Sequence, residues 1–308
     1  MTKSLLILTP DPETASYEGR WPYVLDAYRE ALAGIDVEIF DQPWSQPLDR
    51  PYDLICPLVV WGYHTKIDAF RQTMDGLTQA GVAMLNPPDI VGWNADKRYL
   101  RDLAEAGIRI IPTVFADRLS DEIIAHARAD FGQAVVLKPV VSAGAKNTLV
   151  FRDAHLADAP REGKSAPPEG AAMIQPFMPA IQSEGEWSLL FFGGAFSHAV
   201  LKTPKSGDFR SQPDYDAHLR TLPPPAEALD LANDALDYVG RDRLLYARAD
   251  MVRDPAGHFC LMELELIEPD LYLTYDPEAM MRFKDAVEHA ADHGHAGHDC
   301  ACAAHPET

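Results

Sequence analysis

The sequence predicts an α/β protein of two or three packed lobes that opens with a small parallel sheet. Three observations carry this. The chain has 308 residues, more than one lobe ordinarily needs, and 47% of them are apolar, enough for a sizeable core. Strand and helix signals alternate through roughly the first ninety residues. Far downstream, Arg253-Asp254-Pro255-Ala256-Gly257 is a hairpin signal between two strand-like runs.

Residues 4–8 read as a short buried strand and 21–32 as a helix, with Pro22 in the first turn where its missing N–H is harmless. Residues 37–40 and 54–60 read as further buried strands, 67–77 as a helix that stops near Gly81, and 82–85 as another short strand. This order places parallel strands beneath helices. No GxGxxG follows the first strand, so a dinucleotide site is not indicated. Residues 94–106 form a helix block ended by Gly107, and 108–115 a strand. Ser120 is placed to cap a helix reaching Phe131, with Asp121 and Glu122 in its first turn. Residues 134–138 and 148–151 read as strands around a loop, whereas 152–171 and 203–225 are irregular connections. A helix over 227–239 carries Leu229, Ala232, Leu236 and Val239 on one face, and the hairpin strands cover 246–252 and 258–267. From His289 onward the chain holds five of its eleven histidines and no apolar periodicity, the composition of a disordered tail.

Charge narrows the partners. A formal charge of −20 repels phosphate backbones, so nucleic acid is not expected, and any phosphate site must be a local cationic pocket. The N-terminal apolar run is too short for a signal peptide or a membrane span, and no other stretch approaches one. Cys56 and Cys260 lie in apolar runs, while Cys300 and Cys302 sit near the end, so there is no disulfide framework. A cytoplasmic protein without membrane partners is expected.

Four segments carry chemistry. Lys138 ends a buried strand and precedes the small-residue loop 142–148, an arrangement that lets an ammonium and bare backbone meet a polyphosphate. A surface lysine before a hairpin turn is the alternative. The run Ile174-Gln175-Pro176-Phe177-Met178 breaks a strand at proline, which frees backbone groups for an adenine edge, and Glu186 follows for ribose; an edge strand with a solvated carboxylate would look the same. In the hairpin, Glu263 and Glu265 share a face. With Asp254–Gly257 as a four-residue loop, residue 250 faces 261, which puts Asp250 on that face diagonal to Glu263 and sets Arg248 opposite Glu263. Three carboxylates there suit Mg²⁺, or else pair with cations such as Arg248. Last, Lys202, Lys205 and Arg210 crowd a short loop, and Arg210 is the candidate for charge on a transferring phosphoryl group; a solvated basic loop is the alternative. His64 follows a strand end and is a minor candidate for substrate contact, while His198 reads as a packed strand residue.

Taken in order, these pieces resemble the ATP-grasp superfamily, nearest to its bacterial glutathione synthetase branch and to a group that includes cycloserine-forming cyclo-ligases. The likeness spans roughly residues 86–273. It rests on Asn86-Pro87-Pro88, Trp93-Asn94-Ala95-Asp96-Lys97, Leu137-Lys138-Pro139, Gln175-Pro176-Phe177, Gly185-Glu186, Gly207-Asp208-Phe209-Arg210 and Met262-Glu263-Leu264-Glu265. The resemblance implies an N-terminal lobe over 1–93, a lid lobe over 94–171 and a metal-bearing lobe over 172–288, the last two clasping ATP, followed by the tail 289–308. It implies that Lys97 and Lys138 hold ATP phosphates under a loop containing Ser142 and Gly144. Gln175, Phe177 and Met178 would take adenine, and Glu186 ribose. Asp250, Glu263 and Glu265 would hold Mg²⁺ or Mn²⁺, with Arg210 and Lys202 catalytic. Glutathione synthetases usually carry Asn where Glu265 stands, which leaves an oxygen ligand but argues against glutathione as product. The implied activity joins a small carboxylate, activated as an acyl phosphate, to an amine or similar nucleophile in a linear or cyclic product, in a homodimer or tetramer. Two other readings are a nucleotide-binding fold without turnover and a metal-binding protein acting through His289, His293, His295, His298, Cys300, Cys302 and His305.

Overall fold

The computed structural model describes residues 2–14, 20–144, 147–153, 155–159, 166–205 and 217–293. Strands β1 (Lys3–Thr9), β2 (Val37–Pro43) and β3 (Leu54–Cys56) form a parallel sheet in the order β2-β1-β3, as the alternating pattern predicts. Helix α1 (Trp21–Ala31) starts at its proline, and α2 (Ile67–Ala80) ends on Gly81, whose φ of 61° fits the left-handed cap.

Two expected strands are shorter than their apolar runs. β3 stops at Cys56 because Pro57 has no N–H to continue a ladder. Residues 82–85 provide only a bridge between Met84 and Ile55, since the chain must leave for Asn86. That asparagine is fully buried; its side chain donates to the carbonyls of Tyr246 and Leu266 and accepts from the Leu245 N–H. It therefore ties the N-terminal sheet to the far end of the chain.

The helix block expected over 94–106 is two helices, α3 (Pro88–Asn94) and α4 (Tyr99–Glu105). Residues 108–115 are not one strand either. Ile110 bridges to Leu261, Pro112 interrupts the ladder, and only β4 (Val114–Ala116) pairs onward, in a different sheet. Helix α5 (Asp121–Phe131) carries the expected cap: the Ile123 N–H donates to Ser120 Oγ at 3.2 Å.

Strands β5 (Val135–Pro139), β6 (Leu149–Phe151) and β7 (Ala172–Pro176) join β4 in a four-stranded antiparallel sheet ordered β4-β7-β5-β6. Because β7 pairs with both β4 and β5, residues 172–176 go with the preceding lobe, past the boundary expected at 171. The short helix α6 (Ala180–Ser183) leads into β8 (Glu186–Phe192) and β9 (Ala195–Thr203). With β11 (Tyr246–Arg253), β12 (Phe259–Glu265) and β10 (His218–Thr221) they form a five-stranded antiparallel sheet ordered β10-β9-β8-β11-β12. β10 lies within the connection expected to be irregular.

Helix α7 (Ala226–Val239) packs Ala228, Ala232, Ala235 and Leu236 against one face of this sheet. Helix α8 (Ala279–His293) buries Phe283 and Val287 among Leu5, Ile7, Leu25 and Phe192, a core shared by the first and last sheets. It runs through His289, so the predicted tail boundary moves to His293; residues 294–308 lie outside the described chain. His289 and His293 share a face of α8, with ring centroids 4.2 Å apart. Among the described residues no helix is long and apolar enough to cross a membrane.

Candidate active site

The four-stranded sheet, the five-stranded sheet and the N-terminal lobe meet around a cavity of about 710 Å³. Lys97, Lys138, Ser142, Gly144, Gln175, Phe177, Met178, Glu186, Lys202, Asp250, Glu263 and Glu265 all line it, residues drawn from positions far apart in sequence. Arg210 lies outside the described residues, as do positions 145 and 146 of the covering loop.

The break between α3 and α4 turns Lys97 inward. Its ammonium donates to the Ser142 carbonyl at 2.9 Å and pairs with Glu263 at 2.9 Å, so it links the loop to the hairpin. Lys138 comes from β5. Burial lowers its pKa against the pull of Glu263, and among the described residues no anion stands at contact distance. The strand-breaking proline has a more limited effect than expected, because the Phe177 N–H is taken by the Ala134 carbonyl at 3.0 Å. The Met178 N–H has no partner among the described residues, and the Met178 side chain packs with Ile111, Ile181, Val252 and Cys260. Gln175 donates to Thr113 Oγ1 at 2.9 Å and is structural as well as cavity-lining.

Glu186 and Lys202 lie opposite each other on β8 and β9 and form a buried ion pair. Glu186 thus braces Lys202 while lining the cavity in which the ribose contact is expected. Lys202 also stands 3.5 Å from Asp250. Burial works against its charge, but Asp250 and Glu186 outweigh this and raise its pKa. Gly185 makes the crossing possible: with φ at 103°, a Cβ there would lie 2.7 Å from the Lys202 carbonyl.

The hairpin register differs from the simple one. A β-bulge beyond Met251 inserts Met262, so Asp250 faces Glu263 and Arg248 faces Glu265. The loop runs one residue longer than predicted, with Arg253 facing Phe259 rather than His258, so the longer loop and the bulge each shift the pairing by one. The effect of the bulge is to point Met262 and Glu263 toward the same cavity, ahead of Glu265. Arg248 bridges Asp250 at 3.0 Å and also pairs with Glu265, while Ser188 donates to Asp250. Burial pushes the Asp250 carboxyl up, but Arg248 and Lys202 override it and hold its pKa near about 2. Glu263 is likewise lowered, burial being overcome by Lys97 and Lys138. Glu265 goes the other way: burial, with Asp250 and Glu263 adding to it against Arg248, lifts its carboxyl to about 7.

Among the described residues no His, Cys, Asp or Glu side chains are grouped in threes as a metal would hold them. The carboxylates are turned to Lys97, Lys202 and Arg248 instead. The donor chemistry nevertheless fits a hard cation. The side chains of Glu263 and Glu265 keep 31% and 29% exposure at the cavity, against 3% for Asp250. Their mutual repulsion, which adds to burial in raising Glu265, is what a divalent ion would relieve.

Arg248 was legible only as an ion-pair partner; the structure sets it in the cavity wall beside Lys97, Lys138 and Lys202. The N-terminal lobe contributes Tyr28, Leu58, Trp61 and Tyr63, and the segment after β12 contributes Glu268 and Tyr272. His64 does not line the cavity, although its neighbour Tyr63 does. His198 is a packed residue with Nδ1 2.9 Å from Ser197 Oγ.

No family model matches the chain. It is 31% identical over 307 residues to the cycloserine biosynthesis protein DcsG of Streptomyces lavendulae, covering 92% of this chain and 97% of that protein. It is 32% identical over 202 residues to glutathione synthetase of Prochlorococcus marinus, 62% of each. The crystal structure of D-cycloserine synthetase DcsG superposes with a TM-score of 0.68 at 24% identity, covering 94% of this chain and 99% of that one. The ATP-grasp ligase PsnB, in complex with a minimal precursor, Mg and ADP, gives 0.61 at 15% identity over 93% and 97%. At these identities the two superpositions speak for the fold alone.

Proposed function

The chain belongs to the ATP-grasp superfamily of ATP-dependent carboxylate–amine ligases, and from that premise we propose that it phosphorylates a small amino-acid-like or peptide-like carboxylate. An amine or similar nucleophile then captures the acyl phosphate, closing an amide or a ring. The observation that carries this is Lys138: a lysine set into a cavity, without an anion at contact distance, beside three cations already paired with carboxylates. A polyphosphate supplies the missing anion. ATP and Mg²⁺ are the cofactors this reading assigns, in line with the PsnB complex.

Lys97 and Lys138 receive the phosphates under the loop containing Ser142 and Gly144, and the free Met178 N–H offers a donor to the adenine edge. Glu263 and Glu265, with Asp250 behind them, would hold Mg²⁺, which supplies charge neutralisation to the phosphates when bound. Arg248 and Lys202 stand where negative charge develops, first on the transferring phosphoryl group and then on the tetrahedral carbon's oxygen. Glu186 and Ser188 keep those cations and Asp250 in place. Arg210 is proposed as a further cation at the same end. Closing the two sheets on the substrate keeps water from the acyl phosphate.

The test is ADP release with Mg²⁺ and hydroxylamine against pools of amino acids, short peptides and other small carboxylates. Hydroxylamine intercepts the acyl phosphate, so ADP and hydroxamate should form together from one pool. ADP without hydroxamate from every pool would point to a nucleotide hydrolase instead.

A further inference from the structure

Beyond the phosphate end, the cavity runs on between the N-terminal lobe and the segment that follows β12. This second end differs in chemistry. Its walls include Tyr28, Trp61 and Tyr63, and the half-buried Glu268, among the residues after β12, brings an enclosed carboxylate oxygen to it.

Glu268 differs from the other cavity carboxylates in having no cation. Asp250, Glu263 and Glu265 each hold an arginine or a lysine, and Glu186 holds Lys202. Among the described residues no salt bridge reaches Glu268, and its Oε2 is enclosed without a hydrogen-bond donor. Burial, with Glu265 adding to it, pushes its carboxyl well above the usual range. Leaving an enclosed carboxylate oxygen without a donor costs stability, so such a group in a ligand cavity points to a partner that arrives with the ligand.

We propose that Glu268, which lines the cavity together with Tyr28, Trp61 and Tyr63, binds the ammonium group of the carboxylate substrate, which makes the substrate an amino acid. This rests on the ligase reading and deepens it. A carboxylate and aromatic faces together are the environment that selects an alkylammonium. The spacing sets the size. Arg248, at the phosphoryl end, donates to the Asp270 carbonyl at 3.3 Å, and Glu268 lies two residues before Asp270. Two residues of chain span at most about 7 Å. A carboxylate toward Arg248 and an ammonium on Glu268 can therefore belong to one small molecule.

The experiment compares wild type and Glu268→Gln in hydroxylamine-trapped ADP release. One pool holds amino acids of both configurations, and the other the same skeletons with hydrogen or hydroxyl in place of the amine. Mg-ATP-induced rise in Tm is measured alongside. Wild type should turn over the amine-bearing pool alone. Glu268→Gln, which keeps the shape and removes the charge, should raise the concentration for half-maximal ADP release about ten- to a hundredfold. Its rise in Tm with Mg-ATP should match wild type, and its Tm without ligand should not fall. Equal turnover of both pools by wild type, or an unchanged half-saturation in Glu268→Gln, overturns the proposal. So does a wild-type protein whose Tm rises with Mg-ATP while no amine-bearing acid is turned over or adds to that rise; the nucleotide site then stands without the ammonium site. If Mg-ATP produces no rise, the ligase reading fails first and this site fails with it.

Discussion

Lys138 is the residue through which nucleotide binding is most directly tested. Its half-buried side chain has no anion at contact distance among the described residues, so replacing it should remove phosphate affinity rather than a structural pair. Lys138→Ala is expected to lower Mg-ATP affinity at least about tenfold, from the loss of charged hydrogen bonds, while its ligand-free Tm holds or rises. Isothermal titration with Mg-ATP checks the first expectation and thermal melting the second. His198 gives a separate, pH-dependent expectation. Burial lowers its pKa, with Asp276 opposing and Arg282 adding to the effect. The unfolded chain takes up that proton near 6.5 while the folded one resists, so the unfolded state binds more protons and stability falls as pH drops below that value. Melting between about pH 7.5 and 5.5 should show a steeper loss for wild type than for His198→Gln. Single residues were legible in the sequence where chemistry is distinctive, as with Lys138 or Glu263. Arg248 was not, because an arginine two positions from an aspartate reads equally as a strand ion pair. Glu268 escaped notice because only the fold reveals that no cation meets it.

Elements position those residues, and glycine and capping positions show how tightly. Gly185 combines a positive φ with a carbonyl at 2.7 Å from any added Cβ, and that carbonyl belongs to Lys202. Gly185→Ala should therefore cost about 1–3 kcal/mol in stability and also displace β9 at the phosphoryl end, lowering kcat. Both are read from melting and ADP release. Ser120→Ala, by contrast, removes a cap on α5, whose Ile124 and Ala127 pack behind the four-stranded sheet. It should cost about 1 kcal/mol with no change in the KM for ATP. The cap was readable from local sequence, as were α1, α2, α7 and the existence of the hairpin, because each depends on neighbours in the chain. The sheet switch at Pro112 and the bulge at Met262 were not. They answer to pairing with Leu261, Ile174 and Met251, partners that no local pattern names.

At the scale of the whole molecule, the two ends of the cavity are built by different unions. The proposed ATP end lies between the four- and five-stranded sheets, whereas the proposed amino-acid end depends on how the N-terminal sheet sits against the rest. That second union runs through α8, where Phe283 is enclosed with ring centroids 5.3 Å from Phe192 and 6.1 Å from Tyr28. Its lateness in the chain explains why it was hidden: α8 abuts the histidine-rich tail, and composition there outweighed the helical spacing of Phe283, Val287 and Ala291. A deletion meant to test the tail must accordingly begin after His293, since an earlier cut removes part of this core. Phe283→Ala should cost about 3–5 kcal/mol, as large buried aromatics do when truncated. Because Tyr28 belongs both to this core and to the cavity wall, loosening the seam should raise the KM for the carboxylate. The KM for ATP should stay near wild type, since none of its proposed contacts crosses α8. Steady-state kinetics with each substrate varied in turn, at a temperature well below the variant's Tm, separates the two. A matching rise in both constants would show that the three sheets act as one closed unit.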